Sequence, residues 1–295
     1  MDSLLDVTDE VLVDGLKTEL GAEGQASYVM SRSMDVFNPT TSASYGPNSA
    51  RVMTFNIAPE WLDAGTGVML QFELHNKSDT LKLVPIGGPW QFFSRLRINV
   101  GGVTETEIPV DYARLYEQIN MLHPPAVIAG QDITNGYARQ NSTITLTTGP
   151  ENSFVTLDVP KTLGRDLGKE IAPGQKVVCT MQIAPSALLS SGRLLPVKNL
   201  GGLEVTYEIQ SDKYAPVVGR SDLIGAHERT SSDWEILNPQ IHAQTVVIEA
   251  SVNEKLNQQV ANGEFRVSGS NYVIMSQSTS GVANGDFRLN FQRSL

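Results

Sequence analysis

The chain has 295 residues, of which 40% are hydrophobic, 18% charged and 7% aromatic. That is enough for one large or two medium domains around a real core, and it excludes a chain disordered throughout. The formal net charge is −10 and no basic cluster is denser than Arg95 with Arg97, which argues against a protein that works by gripping nucleic-acid phosphates.

Residues 1–25 are acidic, with Asp2, Asp6, Asp9, Glu10, Asp14, Glu19 and Glu23 against the single base Lys17. Leu4, Leu5, Val11, Leu12, Val13 and Leu16 alternate with them, while Gly15 weakens a helix. The segment reads as a short acidic amphipathic helix or a flexible arm. Residues 26–50 are rich in Ser, Thr and Pro with aromatic anchors, which suits an extended arm lying on a surface. Residues 1–50 together form the expected N-terminal arm.

From residue 51 the hydrophobic period becomes two. Met53, Phe55 and Ile57 alternate with polar residues, and so do Val68, Leu70, Phe72 and Leu74. In WQFFSRLRINVGG, Trp90, Phe92, Leu96, Ile98 and Val100 share one face, and Gln91, Arg95, Arg97 and Asn99 share the other. Successive side chains of a strand point to opposite faces, so this is a strand with one buried face, closed by a Gly101-Gly102 turn. Phe93 falls on the polar side of that register and is expected under a neighbouring helix or at a subunit contact. Pro109 then suits the first turn of a helix in which Tyr112, Leu115, Tyr116, Ile119 and Leu122 recur at helical spacing, until Pro124-Pro125 stops it.

Strands resume at Ile144 and Leu146, at Val155, Leu157 and Val159, and at Val177, Cys179, Met181 and Ile183. PSALLSSGRLLP reads as a short helix or turn followed by an extended piece, and Leu203, Val205, Tyr207 and Ile209 alternate after it. Many short strands separated by turn signals indicate a β-sandwich or barrel over residues 51–211. Residues 212–232 read as a linker. A second β segment over residues 233–295 begins at Trp234, with Val246, Ile248, Ala250 and Val252 alternating, then Tyr272 and Ile274, then Phe287, Leu289 and Phe291.

Chemistry-bearing motifs are sparse. Cys179 is the only cysteine, so it forms no internal disulfide, and VVCTMQI makes it a small core hydrophobe in a chain suited to a reducing compartment. No secretory h-region and no apolar run near 18 residues is present, which argues against secretion or a transmembrane segment. The sequons at Asn76 and Asn141 read as chance. His75, His123, His227 and His242 lack zinc-type spacing, although Glu73 and His75 share a strand face. GRDLGKE at 164–170 is one residue short of a phosphate loop, and no nucleophile elbow occurs. The carboxylate pairs Glu60 with Asp63 and Glu105 with Glu107 read as solvated surface. No catalytic residue, cofactor site or metal site is assigned. A sugar-binding or sugar-hydrolysing sandwich stays open, with Trp61, Trp90 and Trp234 as its candidate platform. Arg95 and Arg97 are solvated or paired with acidic groups of a neighbouring sheet or subunit.

The order of these pieces carries a resemblance. RVMTFNIAPEWLDAGTGVMLQFEL, then WQFFSRLRINVGG, then the tyrosine-bearing PVDYARLYEQINML, and later VVCTMQIAPSALLSSGRLLPVKNLGGLEVTYEIQ, resemble the first half of the double jelly-roll major capsid proteins of double-stranded DNA viruses. The likeness is to the forms of Polinton-like elements, adintoviruses and virophages. It covers residues 51–210 well and 233–256 loosely. It implies an all-β chain of jelly-roll sandwiches with a helix inserted in the first, and a second sandwich that is short or truncated. It also implies a viral major capsid protein, not an enzyme, assembling as pseudo-hexameric homotrimers into an icosahedral shell. Its partners would be itself, neighbouring capsomers and minor capsid proteins, with no sequence-specific nucleic acid. It would reside in the virion after assembly inside the host cell. Phe93, Arg95, Arg97, Tyr112 and Tyr116 are the candidate interface residues. The alternatives are the sugar-binding sandwich of an attachment protein and a single jelly-roll minor capsid or vertex protein.

Overall fold

The computed structural model describes residues 29–65, 67–109, 111–121, 143–148, 153–158, 170–189, 191–217 and 230–263. In chain order the strands are β1 (Val29–Phe37), β2 (Ser44–Tyr45), β3 (Val52–Ile57), β4 (Trp61–Asp63), β5 (Met69–Asn76), β6 (Phe93–Val100) and β7 (Val103–Ile108). Then come β8 (Thr143–Thr148), β9 (Ser153–Asp158), β10 (Lys176–Gln182), β11 (Leu194–Leu195), β12 (Leu203–Ile209) and β13 (Trp234–Ile248). Helix α1 (Tyr112–Met121) follows β7, and helix α2 (Ala250–Ala261) follows β13.

Eleven of these strands build two sheets around one core, and β8 and β9 pair with each other as a separate hairpin. One sheet has the order β3-β12-β6-β7. The other runs β10-β5-β13, with β4 and β11 continuing it, and β1 and β2 on the opposite edge of β13. The pairing β3 with β12 and β5 with β10 is antiparallel in both cases. Early strands therefore pair with late ones, and the two partnerships lie in different sheets. That is an antiparallel ribbon wrapped into a sandwich, the jelly-roll arrangement. The chain is all-β in class, with α1 inserted between β7 and the β8–β9 hairpin.

Alternation decides which side chains fill the sandwich. Met53, Phe55 and Ile57 of β3, Leu70, Phe72 and Leu74 of β5, and Leu203, Val205, Tyr207 and Ile209 of β12 are all buried. Burying each such side chain contributes about 1.5–3 kcal/mol. Cys179 lies among them as a buried thiol.

Three sequence expectations need correction. First, Phe93 leaves the polar side. Tyr207 pairs with Leu96, Glu208 with Arg95 and Ile209 with Phe93, so β6 holds one extra residue, Ser94. Such a bulge shifts the alternation by one position and turns Phe93 inward. The Ser94 hydroxyl donates to the Glu208 and Ile209 carbonyls at 3.2 and 3.3 Å, which fixes the bulge. Just before it, Pro89–Phe92 forms a single 3₁₀ turn that buries Trp90 and Phe92.

Second, Trp234–Ile248 does not open a separate sandwich. It is a central strand of the first, ladder-paired with β5 from Trp234 to His242. The described ends of the expected linker also lie on this body, where Val217 bridges Pro85 and Ser231 bridges Leu83. The rest of the expected second sandwich, from residue 264, lies outside the described residues.

Third, the alternation at Val246 and Ile248 does not continue through Ala250 and Val252, because a helix takes over after Glu249. Val252 and Leu256 are four apart, so they share one helix face. That face covers Trp61, Leu194, Val246 and Ile248 on the outside of the sheet, a second small core. Trp61 Nε1 donates to Asn253 Oδ1 at 2.6 Å, and Asn253 Nδ2 to Glu60 Oε1 at 2.7 Å.

Residues 29–50, expected as an extended arm on the surface, are extended but carry strands of the sheet, and Tyr45 of β2 is buried in the core. β1 runs antiparallel along β13, and beyond it Pro39 bridges Phe55 while Thr40 N–H donates to Thr54 O at 2.8 Å. This segment passes from one sheet to the other and covers the free edge of β3.

Candidate interaction surfaces

The five candidate interface residues divide into two environments. Phe93, Tyr112 and Tyr116 are buried inside the sandwich. Phe93 sits edge-on to Phe72, with centroids 5.5 Å apart, and 4.9 Å from the Tyr207 ring. Tyr207 meets Tyr112 edge-on at 5.6 Å, and Trp90 stacks on Tyr116 at 4.7 Å. Such ring pairs contribute about 0.5–1.5 kcal/mol each beyond the area they bury. Tyr112 donates to the Ala184 carbonyl at 2.9 Å and Tyr116 to the Gln182 carbonyl at 3.2 Å, so α1 is anchored to the segment leaving β10. Burial pushes the hydroxyl pKa of Tyr112, Tyr116 and Tyr207 above the usual tyrosine value. A side chain enclosed this fully has no surface to offer a second subunit. Phe93 joins the helix tyrosines in one ring cluster through Tyr207.

Arg95 and Arg97 remain on the surface, on the outer face of the β3-β12-β6-β7 sheet. The register aligns Arg97 with Thr206 on one side and Glu107 on the other, and Arg95 with Glu208. Arg95 Nη2 lies 2.6 Å from Glu107 Oε1, and Arg51 Nη2 lies 2.8 Å from Glu208 Oε1. Both pairs are partly exposed, so each is worth about 0–1 kcal/mol. Arg97 donates to Asn99 Oδ1 and Thr104 Oγ1, each at 3.2 Å, and no described carboxylate pairs with it.

Of the carboxylates read as solvated, Glu60 and Glu107 are exposed, whereas Asp63 and Glu105 are structural. Asp63 is buried and accepts from Arg32 Nη1 at 2.8 Å and from Gly65 N–H at 2.8 Å. Glu105 accepts from Thr106 Oγ1 at 2.6 Å, Ser186 Oγ at 3.0 Å and Leu188 N–H at 3.1 Å, which ties β7 to the turn after β10. Gly65 and Thr106 are local partners, but nothing in the spacing signals Arg32, Ser186 or Leu188, which lie on a distant strand or turn. His75 Nδ1 lies 2.8 Å from Glu235 Oε1, and among the described residues no cluster is suited to a metal ion. Asn76 is buried with its amide donating to the Leu81, Ile171 and Ala172 carbonyls, so its sequon offers no acceptor for a glycan. Trp61, Trp90 and Trp234 are all buried, and none forms a sugar platform. No helix of the described residues is long and apolar enough to cross a membrane.

Sequence reasoning missed one surface. β1 presents Met30, Met34 and Val36 to solvent at 69, 61 and 44% exposure. Apolar residues at 34 and 36 in a polar run were the available signal.

The described part of the molecule is thus a jelly-roll sandwich that buries its tryptophans and the Phe93–Tyr207–Tyr112–Tyr116 ring cluster. No family model matches the sequence, and no curated protein matches it. Solved structures that match include the Faustovirus major capsid protein, with 10% identity and a TM-score of 0.44 over 88% of this chain and 62% of that one. The mavirus major capsid protein matches with 13% identity and a TM-score of 0.40, over 79% of this chain and 50% of that one. The PBCV-1 virus capsid matches with 9% identity and a TM-score of 0.39, over 79% and 46% respectively. The chain therefore spans between 46 and 62% of the length of these matched chains.

Proposed function

We infer that this chain is a viral major capsid protein whose copies assemble as pseudo-hexameric trimers into an icosahedral shell. The observation that carries the reading is the use made of the large side chains. The aromatic cluster, the tryptophans and the lone thiol are all consumed by packing, and what the surface offers is sheet faces, a charged lattice and one apolar edge. A sandwich built this way serves as a wall, and its outer faces meet neighbours. Arg97 is the surface residue assigned to such a contact, with Arg95 beside it.

A second reading is favoured by one observation. The described residues complete one wrapped sandwich that includes β13, which suits a single jelly-roll minor capsid or vertex protein. Electron microscopy of purified protein, with size-exclusion chromatography and light scattering, tests both. Trimers, hexagonal tiles or shells are expected. A strictly monomeric species at high concentration in every buffer overturns the capsid reading. Rings of single-sandwich subunits favour the vertex protein.

A further inference from the structure

Sheet edges expose unpaired N–H and C=O groups, and proteins guard them with lysine, proline, inward charges, bulges or a covering segment. Three described edges here are guarded. β3 is covered by residues 39–40, β7 carries Glu105 and Glu107, and β10 begins with Lys176, whose ammonium lies 3.4 Å from Glu73. β1 differs. Among the described residues it pairs with β13 alone, and it contains neither lysine nor proline. Its irregularity lies at Met30, which leaves residues 31–37 in regular register. No other strand whose side chains are described carries as many exposed large hydrophobic side chains. Its one cation is neutralised, because Arg32 Nη1 lies 2.8 Å from Asp63 Oδ2. With Arg32 paired to Asp63, Asp35 is the one other charge along residues 31–37, so two copies of a chain of net charge −10 can meet here with little like charge opposed.

We propose that the outer edge of β1 is a homotypic contact, in which β1 of a second copy adds antiparallel about a two-fold axis at Met34. The register follows from the side chains. An axis at Arg32 sets two guanidiniums face to face, and an axis at Asp35 sets two carboxylates face to face; like charges directly opposite are destabilising. An axis at Met34 packs Met34 on the second copy's Met34, and places Ser33 opposite Asp35 and Arg32 opposite Val36. Main-chain hydrogen bonds supply the affinity of such strand addition, and the alternate side chains supply its register. The proposal adds to the capsid reading a contact between copies that is distinct from the one at Arg97.

Cysteine cross-linking of the full chain tests it. Met34→Cys should give a covalent dimer under mild oxidation, whereas Val36→Cys, off the axis, should not. Cys179 is buried and supplies no background. Met34→Lys, on an exposed side chain, should keep the circular dichroism of the parent and abolish the contact. Large assemblies that form with no Met34→Cys cross-link, and that tolerate Met34→Lys, overturn the proposal and leave the capsid reading standing. A Met34 cross-linked dimer that never grows further upholds the β1 contact and counts against the shell. Cross-linking at Val36 in place of Met34 overturns the register and with it the proposal.

Discussion

Phe93 shows how one inserted residue redirects a side chain. Alternation alone places it beside Arg95 and Arg97, but the bulge at Ser94 turns it between Phe72 and Tyr207. Phe93→Ala should therefore cost about 3–5 kcal/mol, as a truncated core aromatic does. Urea unfolding will read this as a lower midpoint at unchanged slope. Arg97→Ala should change stability by no more than about 0.5 kcal/mol, since its contacts are exposed. Equal losses for the two variants would contradict the burial difference. The tyrosines behind Phe93 set a pH limit. Burial raises the native pKa of Tyr112, Tyr116 and Tyr207 above the unfolded value of about 10. Their stabilisation is complete below that value and is lost as pH rises towards the raised native values. Alkaline titration should show tyrosinate absorbance from these rings appearing together with loss of β-sheet dichroism. Ionisation of all the rings in a chain still fully folded would refute the enclosure.

Elements are held by contacts that no local pattern announces. The alternation in β3, β5, β10 and β12 and the period of α1 were legible because burial of one face writes itself into neighbouring residues. The bulge was not, because it depends on where β12 ends. Glu105 was not, because its partners are Ser186 and Leu188, about eighty positions away in the chain. Glu105→Ala should cost about 1–3 kcal/mol, since it strands the hydroxyl of the buried Ser186 and an amide. Thermal unfolding measures the loss, and hydrogen exchange should quicken at residues 186–189. Glu105→Gln should recover part of it, because one oxygen remains. Asp63 makes a second such case. Asp63→Asn weakens the hold on Arg32, so exchange along residues 31–36 should rise while the sandwich core stays protected.

At the scale of the whole molecule, what the sequence concealed was topology. Trp234–Ile248 has the pattern of any half-buried strand, and only its ladder with β5 places it inside the first sandwich. Composition does speak about association. A net charge of −10 repels copies of the chain from one another, and the solvated arginines on one sheet face offer local attraction against it. The two effects respond oppositely to salt. Screening shortens the reach of charge from about 30 Å at 0.01 M ionic strength to about 8 Å at 0.15 M. If net repulsion controls assembly, the mass measured by light scattering should rise over that range, and Arg97→Glu, which adds charge of the prevailing sign and removes the open guanidinium, should lower it at every salt concentration. If instead salt dissolves the assemblies, attraction at Arg95 and Arg97 outweighs self-repulsion, and Arg97→Glu should then remove the salt dependence along with the assembly. The apolar edge of β1 predicts a residue of association that salt does not weaken, so a salt-resistant dimer in the Arg97→Glu variant is the expected remainder.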